Sequence, residues 1–88
     1  MAWTLRLSET AKRQLSKLDP GNAQAILRYL NRLLLETSDP RDRGSGLRAN
    51  LAGLWRYRVG DYRVICSFED HELVVLVLQI CQRHDVYK

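Results

Sequence analysis

The sequence predicts an α+β domain in which a helical hairpin packs on a small, antiparallel-dominated sheet, with elements in the order βααβββ. Three observations predict this class. An alternating segment opens the chain, two segments with helical spacing follow, and three strand-like segments separated by short turns fill the second half. The 88 residues, of which 45% are hydrophobic, suffice for one folded domain covering residues 1–88.

The first half of the chain carries the signals for one strand and two helices. In WTLRL, residues 3–7, apolar and polar residues alternate as in a strand with one buried face. Ser8 is a suitable N-cap for a helix that runs to residue 18. Asp19-Pro20 then opens a second helix, which ends before Pro40. The helical apolar positions are Ala11, Leu15, Leu18, Ala23, Ile26, Leu27, Leu30, Leu33 and Leu34.

The second half of the chain contains a loop and three strands. Residues 41–50, which include two glycines, are predicted as a loop or an irregular lead-in to a strand. Gly60-Asp61 joins the first two strands, and the next turn is expected to place Phe68 opposite Leu73, with a register shifted by one residue as the alternative. The last strand is nearly all apolar, which predicts a central position with cover on both faces. The predicted strands are residues 54–59, 62–68 and 73–82.

The charge of the chain favours an anionic partner. The formal net charge is +4, and eleven of the fourteen basic residues are arginine. Guanidinium offers a planar fork of donors that matches phosphate or carboxylate. The excess of arginine therefore favours recognition of an anion over a role in solubility alone. No signal peptide is visible, and the apolar run at residues 73–78 is too short to cross a bilayer, so a cytoplasmic location without membrane association is expected.

The two cysteines are predicted to be buried, reduced thiols. Cys66 lies in the middle of one predicted strand and Cys81 at the far end of the next, which separates them by about 20 Å. That distance excludes a disulfide between them.

Three arginines are predicted to share one side of the hairpin LWRYRVGDYRVICSF, residues 54–68. The two-residue turn places Arg58 directly opposite Arg63, with Arg56 two positions along the same face, while the aromatic residues face the helices. A solvated sheet face would also carry polar side chains, but it would normally mix both signs of charge. We therefore favour an anion site, for RNA or for an acidic protein segment.

The end of the chain adds a second group of functional side chains. Arg83, His84 and Tyr87 follow the last strand. A structural interpretation has Tyr87 packing on the domain edge while Arg83 extends its charge into solvent. A chemical interpretation has the arginine neutralise a phosphate while histidine or tyrosine moves a proton. The sequence contains no phosphate-binding glycine loop, zinc spacing or Ser-His-Asp arrangement, so no cofactor and no metal are expected.

Over its whole length the chain resembles toxins of the RelE/ParE superfamily, which belong to bacterial toxin-antitoxin pairs. The resemblance rests on Leu47-Arg48, on YRVGDYRV within the hairpin, and on the closing RHDVYK. It implies a cognate antitoxin protein as partner. Two functions share this fold, so the fold alone does not decide between them.

For the RelE branch, the resemblance implies an mRNA interferase that enters the ribosomal A site and cleaves the codon held there by attack of a ribose 2′-hydroxyl. Basic residues on two strands, with Arg and Tyr near the chain end, would orient the phosphate and stabilise its transition state. Arg48 matches a position expected to touch ribosomal RNA. The positions matching the catalytic set are Arg56, Arg58, Arg63, Arg83 and Tyr87, and Arg56 and Arg58 also match RNA contacts.

This chain departs from the RelE pattern by having arginines where lysines are usual on the strand that carries Arg56 and Arg58. Arginine does not release its proton in proteins, so it is a poor general base. His84 or Tyr87 is then the candidate for proton transfer. The ParE branch implies a different outcome, in which the same face binds DNA gyrase without cleavage. A plain RNA-binding module without toxicity is the third alternative.

Overall fold

A computed structural model, which describes residues 2–82, has two helices packed on one face of a five-stranded sheet. The strand order is β1-β5-β4-β3-β2; β1 is parallel to β5, and all other pairs are antiparallel. The predicted fold class is confirmed. The elements are β1 Thr4–Leu7, α1 Glu9–Lys17, α2 Pro20–Glu36, β2 Ser45–Gly46, β3 Trp55–Val59, β4 Tyr62–Glu69 and β5 Val74–Gln82.

The helices begin where the sequence predicts. The Ser8 hydroxyl accepts a hydrogen bond from the Ala11 backbone N–H at 3.0 Å, and Pro20 occupies the first turn of α2. At the end of α2, the Thr37 hydroxyl donates to the Leu33 carbonyl at 2.7 Å. The apolar stripes of both helices then pack on the inner face of the sheet. This core comprises Ala11, Leu15, Ile26, Leu30, Leu33, Tyr57, Val64, Cys66, Val75, Val77 and Ile80.

The hairpin between β3 and β4 has the predicted register. Gly60 has φ +59°, the left-handed conformation that glycine adopts without a steric penalty. Val59 pairs with Tyr62, and Arg58 pairs with Arg63. A two-residue turn fixes the pairing of both strands, so the arginines share the outer face of the sheet, away from the helices.

The predicted pairing of Phe68 with Leu73 is wrong. Phe68 pairs with Val75, because β4 continues to Glu69 and the turn includes Leu73. Leu73 has φ +55°, and its N–H donates to the Asp70 carbonyl within the turn. The register therefore shifts by two residues, which keeps Phe68 on the predicted, inner face.

A β-bulge interrupts the pairing of β4 with β5. Ile65 pairs with Gln79 and Cys66 pairs with Val77, so Leu78 has no opposite residue. The helical layer supplies partners for the displaced backbone. The Ser8 hydroxyl donates to the Leu78 carbonyl at 3.0 Å, and the Gln14 side-chain oxygen accepts from the Ile80 N–H at 2.6 Å. The bulge is thus held by hydrogen bonds from α1 and its cap.

Two further predictions about the sheet need correction. Within residues 41–50, Ser45–Gly46 forms a fifth strand, too short to give a sequence signal. The last strand is central, between β1 and β4, but it is not covered on both faces because Gln79 is exposed.

Across residues 2–82, neither helix has the length and apolar character needed to cross a membrane.

Candidate anion-binding site

The arginine face, which we define as Arg56, Arg58 and Arg63, lies on the outer side of β3 and β4. Side chains directly opposite each other in an antiparallel pair have Cβ atoms about 4.5–5.5 Å apart, and Arg58 and Arg63 are such a pair. Arg58 is exposed and Arg56 is half-buried, whereas Arg63 is only 9% exposed. The site therefore combines one buried, one half-buried and one exposed cation.

The outer face around these arginines is strongly asymmetric in charge. Among residues 2–82, the only carboxylate on that face of the strands is Glu69, at the opposite end of β4 from Arg63. Arg6 of β1 adds a further exposed cation. Directly opposed like charges destabilise a strand pair by roughly 0.2–1 kcal/mol. An arrangement that carries this cost suits a site for an anion.

Ser45 orients one of the arginines. The Arg56 guanidinium donates to the Ser45 hydroxyl at 3.2 Å, across the pair of β2 with β3. Gly44 allows this close approach: its φ is +79°, and a Cβ at this position would lie 2.5 Å from the Arg56 carbonyl oxygen. The chain before β2 thus packs directly on the backbone of β3.

Gly44→Ala is expected to destabilise the protein by roughly 1–3 kcal/mol through left-handed strain, with the clash against Arg56 added. At roughly 4–8 °C per kcal/mol for a domain of this size, Tm should fall by several degrees or more. Gly53→Ala is the matched control, because Gly53 has φ +95° but a Cβ added there would meet no atom within 4 Å. A thermal melt of both variants separates strain from clash. Equal losses would show that the close approach at Gly44 is unimportant.

Two aromatic residues on the inner face of the hairpin hold β3, the strand that carries Arg56 and Arg58, against the preceding loop. The Tyr57 hydroxyl donates to the Pro40 carbonyl at 2.6 Å, and the Trp55 indole N–H donates to the Arg43 carbonyl at 2.7 Å. Tyr57 is fully buried, and this burial is the main cause that raises the pKa of its phenol. Tyr57 therefore remains a neutral anchor of β3.

The cysteines do not form a disulfide in the described chain, as predicted. They lie on opposite faces of the sheet: Cys66 is in the core, and Cys81 pairs with Arg63 on the outer face. Burial raises the pKa of Cys66 to about 12, so it stays a thiol. The prediction that both are buried is wrong for Cys81, which is half-buried because the bulge turns it outward.

Of the other predicted site residues, the structure describes only Arg48, which lies apart from the arginine face. Arg48 is exposed in the loop before β3, at the opposite end of that strand from Arg58. Arg83, His84 and Tyr87 lie outside the described residues. Within residues 2–82, no three His, Cys, Asp or Glu side chains are grouped so that they could hold a metal ion.

Sequence reasoning missed three side chains that surround the arginines. Ser45 was assigned to a loop, and Gln79 and Cys81 reach the outer face only because of the bulge. Alternation along an apolar strand gives no signal for a bulge, so the sequence offered no means of finding Gln79 or Cys81. The serine between two glycines was the single available hint for Ser45.

Comparison with known proteins agrees with this architecture. Residues 5–87 match the family model described as the ParE toxin of the type II toxin-antitoxin system parDE. The toxin RelG of Mycobacterium tuberculosis is 33% identical over 88 residues, covering 100% of this chain and 99% of RelG. The toxin RelE of the same organism is 33% identical over 82 residues, covering 93% of this chain and 82% of that protein.

Solved structures give the same result. The M. tuberculosis RelBE2 toxin-antitoxin complex contains a chain with a TM-score of 0.82 and 32% identity, covering 94% of this chain and 100% of that one. A mutant of E. coli toxin RelE in the free state has a TM-score of 0.78 at 22% identity, covering 98% of this chain and 88% of that one, which shows the shared fold. The chain therefore belongs to the RelE/ParE superfamily and is a RelE-family toxin of a type II toxin-antitoxin system.

Proposed function

We propose that this toxin is a ribosome-dependent endoribonuclease, an mRNA interferase that cleaves codons in the ribosomal A site and so inhibits translation. The observation that carries the proposal is the pairing of Arg58 with Arg63, with Arg56 on the same face. Such a group of donors can surround the non-bridging oxygens of a phosphate. The relationship to proteins named RelE and RelG supports this choice of anion.

The proposed reaction is an internal phosphoryl transfer. The ribose 2′-oxygen attacks the adjacent phosphorus, the bond from phosphorus to the 5′-oxygen breaks, and a cyclic phosphate and a 5′-hydroxyl result. The 2′-hydroxyl loses one proton and the leaving oxygen gains one, so protons balance. Arginines of the arginine face stabilise the charge on the phosphoryl oxygens as the transition state forms. This route uses neither a metal nor another cofactor.

The remaining roles fall to residues near the chain end and to one loop residue. We assign Arg83 to the phosphate and Tyr87 to positioning the attacking ribose, with His84 or Tyr87 transferring the proton. Because arginine does not act as a base, the arginine face does not supply the group that transfers the proton. Arg48, exposed in its loop, is available for ribosomal RNA.

A cognate antitoxin is the second proposed partner, since the related M. tuberculosis structure is a toxin-antitoxin complex. The exposed cationic face calls for an acidic or amphipathic segment that blocks or displaces the active region. Such a segment would lie against the helices and the sheet edge.

Poisoning of DNA gyrase is the alternative function. The match of residues 5–87 to the ParE family model is the observation that favours it. In that case the arginine face would bind an acidic surface of gyrase, and the toxin would cleave no RNA.

Parallel assays of the purified chain distinguish the two functions. We expect cleavage of mRNA when ribosomes carry it, none when the same RNA is free, and unchanged supercoiling by gyrase. Loss of supercoiling with intact mRNA would establish the alternative. Activity in neither assay would leave the chain as a binding module and contradict both.

Arg58→Glu is expected to raise stability while it lowers cleavage. The substitution replaces repulsion across the β3–β4 pair by attraction, which should add a few tenths to ~1 kcal/mol. Tm should then rise by a few degrees, and cleavage should fall because a carboxylate faces the phosphate. Arg58→Ala, which removes the repulsion alone, should give a smaller gain in Tm. A fall in Tm for Arg58→Glu would show that the arginine pair carries no cost.

A further inference from the structure

We infer that Gln79 is a specificity-determining residue, which reads the base next to the bound phosphate and selects adenine. The inference deepens the proposed function and rests on it, because it names the substrate preference of the same site. It follows from the position of Gln79 in the sheet, from its hydrogen bonds, and from the chemistry of its neighbours.

The bulge in β5 is the reason that Gln79 faces the arginines. Val74 and Leu76 lie on the outer face, so regular alternation would place Leu78 there and turn Gln79 into the core. The unmatched Leu78 reverses this order, so that Gln79 faces outward and Ile80 is buried. The Ser8 hydroxyl, which donates to the Leu78 carbonyl, and the Gln14 oxygen, which accepts from the Ile80 N–H, hold this reversed register. Bulges next to functional sites commonly re-aim a side chain in this way.

Gln79 lies in one row with Ile65 and Arg56 across three neighbouring strands. Two strand spacings separate Gln79 from Arg56, which is roughly 10 Å. Ile65 lies between them and is only 8% exposed, so its neighbours cover most of its apolar surface. A nucleotide whose phosphate contacts the arginines can span this row and reach Gln79 with the edge of its base.

The Gln79 amide is available for such a contact. Its side chain is exposed, and within residues 2–82 its one hydrogen bond is accepted from the Cys81 thiol at 3.7 Å. A thiol is a weak donor, so this bond is easily exchanged for one to a ligand. The amide NH₂ group makes no hydrogen bond in that part of the chain.

The neighbouring side chains lack the paired donor and acceptor that the edge of adenine requires, and the donors of an arginine match guanine instead. Arginine carries only donors, Ile65 is apolar, and the Ser45 hydroxyl already accepts from Arg56. Within the described chain, Gln79 alone offers an amide donor and acceptor together beside the arginine face. Phosphate contacts position a nucleic acid, whereas contacts to base edges specify its sequence. A glutamine amide matches the N6 donor and N7 acceptor of adenine, which no other base presents together.

Atomic substitution in the mRNA tests this contact. Ribosomes are programmed with codons that carry adenosine at one A-site position, and with the same codons carrying 7-deazaadenosine, which lacks the N7 acceptor. For the parent, we expect cleavage at the read position to fall by about tenfold with 7-deazaadenosine, equivalent to ~1.4 kcal/mol. In Gln79→Met, which keeps the length of the side chain but removes the amide, the two RNAs should be cleaved at equal rates.

Gln82→Met is the matched control. Gln82 is an exposed glutamine of the same strand, but it pairs with Tyr62 on the side opposite to Gln79, so the ratio for the parent should be retained. Parent cleavage with no position sensitive to 7-deazaadenosine, or a tenfold ratio retained in Gln79→Met, would overturn this inference and leave the proposed function intact. No cleavage by the parent would overturn both together.

Discussion

Arg63→Ala is expected to lower the single-turnover rate of ribosome-dependent mRNA cleavage by about 10²-fold or more, the effect of losing one fixed electrostatic stabiliser. Arg63 is only 9% exposed, and its backbone is paired on both sides, with Arg58 of β3 and Cys81 of β5, so burial restricts the motion of its side chain before substrate arrives. A preorganised charge contributes more to a transition state than a flexible one, because it needs no reorganisation during the reaction.

Two control variants separate this effect from a general loss of charge or of folding. Arg28→Ala removes the same charge from α2, on the other layer of the domain, and should cleave at the parent rate. Arg63→Lys keeps the charge but loses the planar fork, so it should recover only part of the rate. A melt of each variant verifies folding. Parental cleavage by a folded Arg63→Ala variant would remove this residue from the mechanism.

Tyr87→Phe is expected to lower cleavage by roughly 10²-fold while ribosome binding is nearly unchanged, because a hydroxyl that positions the ribose or moves a proton acts mainly in the transition state. Single-turnover cleavage and a binding measurement on the same programmed ribosomes check both parts of this result. A purely structural role for Tyr87 would leave the rate almost as it was.

Tyr29→Phe is the matched removal of a hydroxyl. Tyr29 packs beside Tyr57 in the helical layer, with ring centroids 6.1 Å apart, so its hydroxyl is remote from the arginine face and its loss should not slow cleavage. Equal rates for Tyr87→Phe and the parent would assign the chemistry at the chain end to Arg83 and His84 instead.

The sequence was sufficient wherever local rules decide the structure. Gly60-Asp61 is a two-residue turn, and such a turn fixes the register of both strands, so the pairing of Arg58 with Arg63 followed without any tertiary information. The start of α2 likewise follows from Pro20 at its first turn. The arginine face was predictable for the same reason, since strand alternation assigns its three residues to one side.

The remaining features depend on contacts between distant parts of the chain. The bulge at Leu78 is held by Ser8 and Gln14, which are 70 residues away from Leu78 and 66 from Ile80, respectively. No pattern within an apolar strand reports such partners, and the bulge alone decides that Gln79 and Cys81 face outward. The strand Ser45–Gly46 depends in the same way on the close approach that Gly44 allows.

The parallel pairing of β1 with β5 sets the order in which this sheet can assemble. The contact from Ser8 to Leu78 spans 70 residues, which at a synthesis rate of about 5–20 residues per second takes roughly 4–14 s to make. The β3–β4 hairpin closes locally, in about 1–10 μs once its residues are available. The pair of arginines is therefore in place early, whereas β1, at the sheet edge beyond β5, docks only after a long loop has closed. Parallel pairs of such high contact order form slowly, so docking of β1 is expected to limit the folding rate.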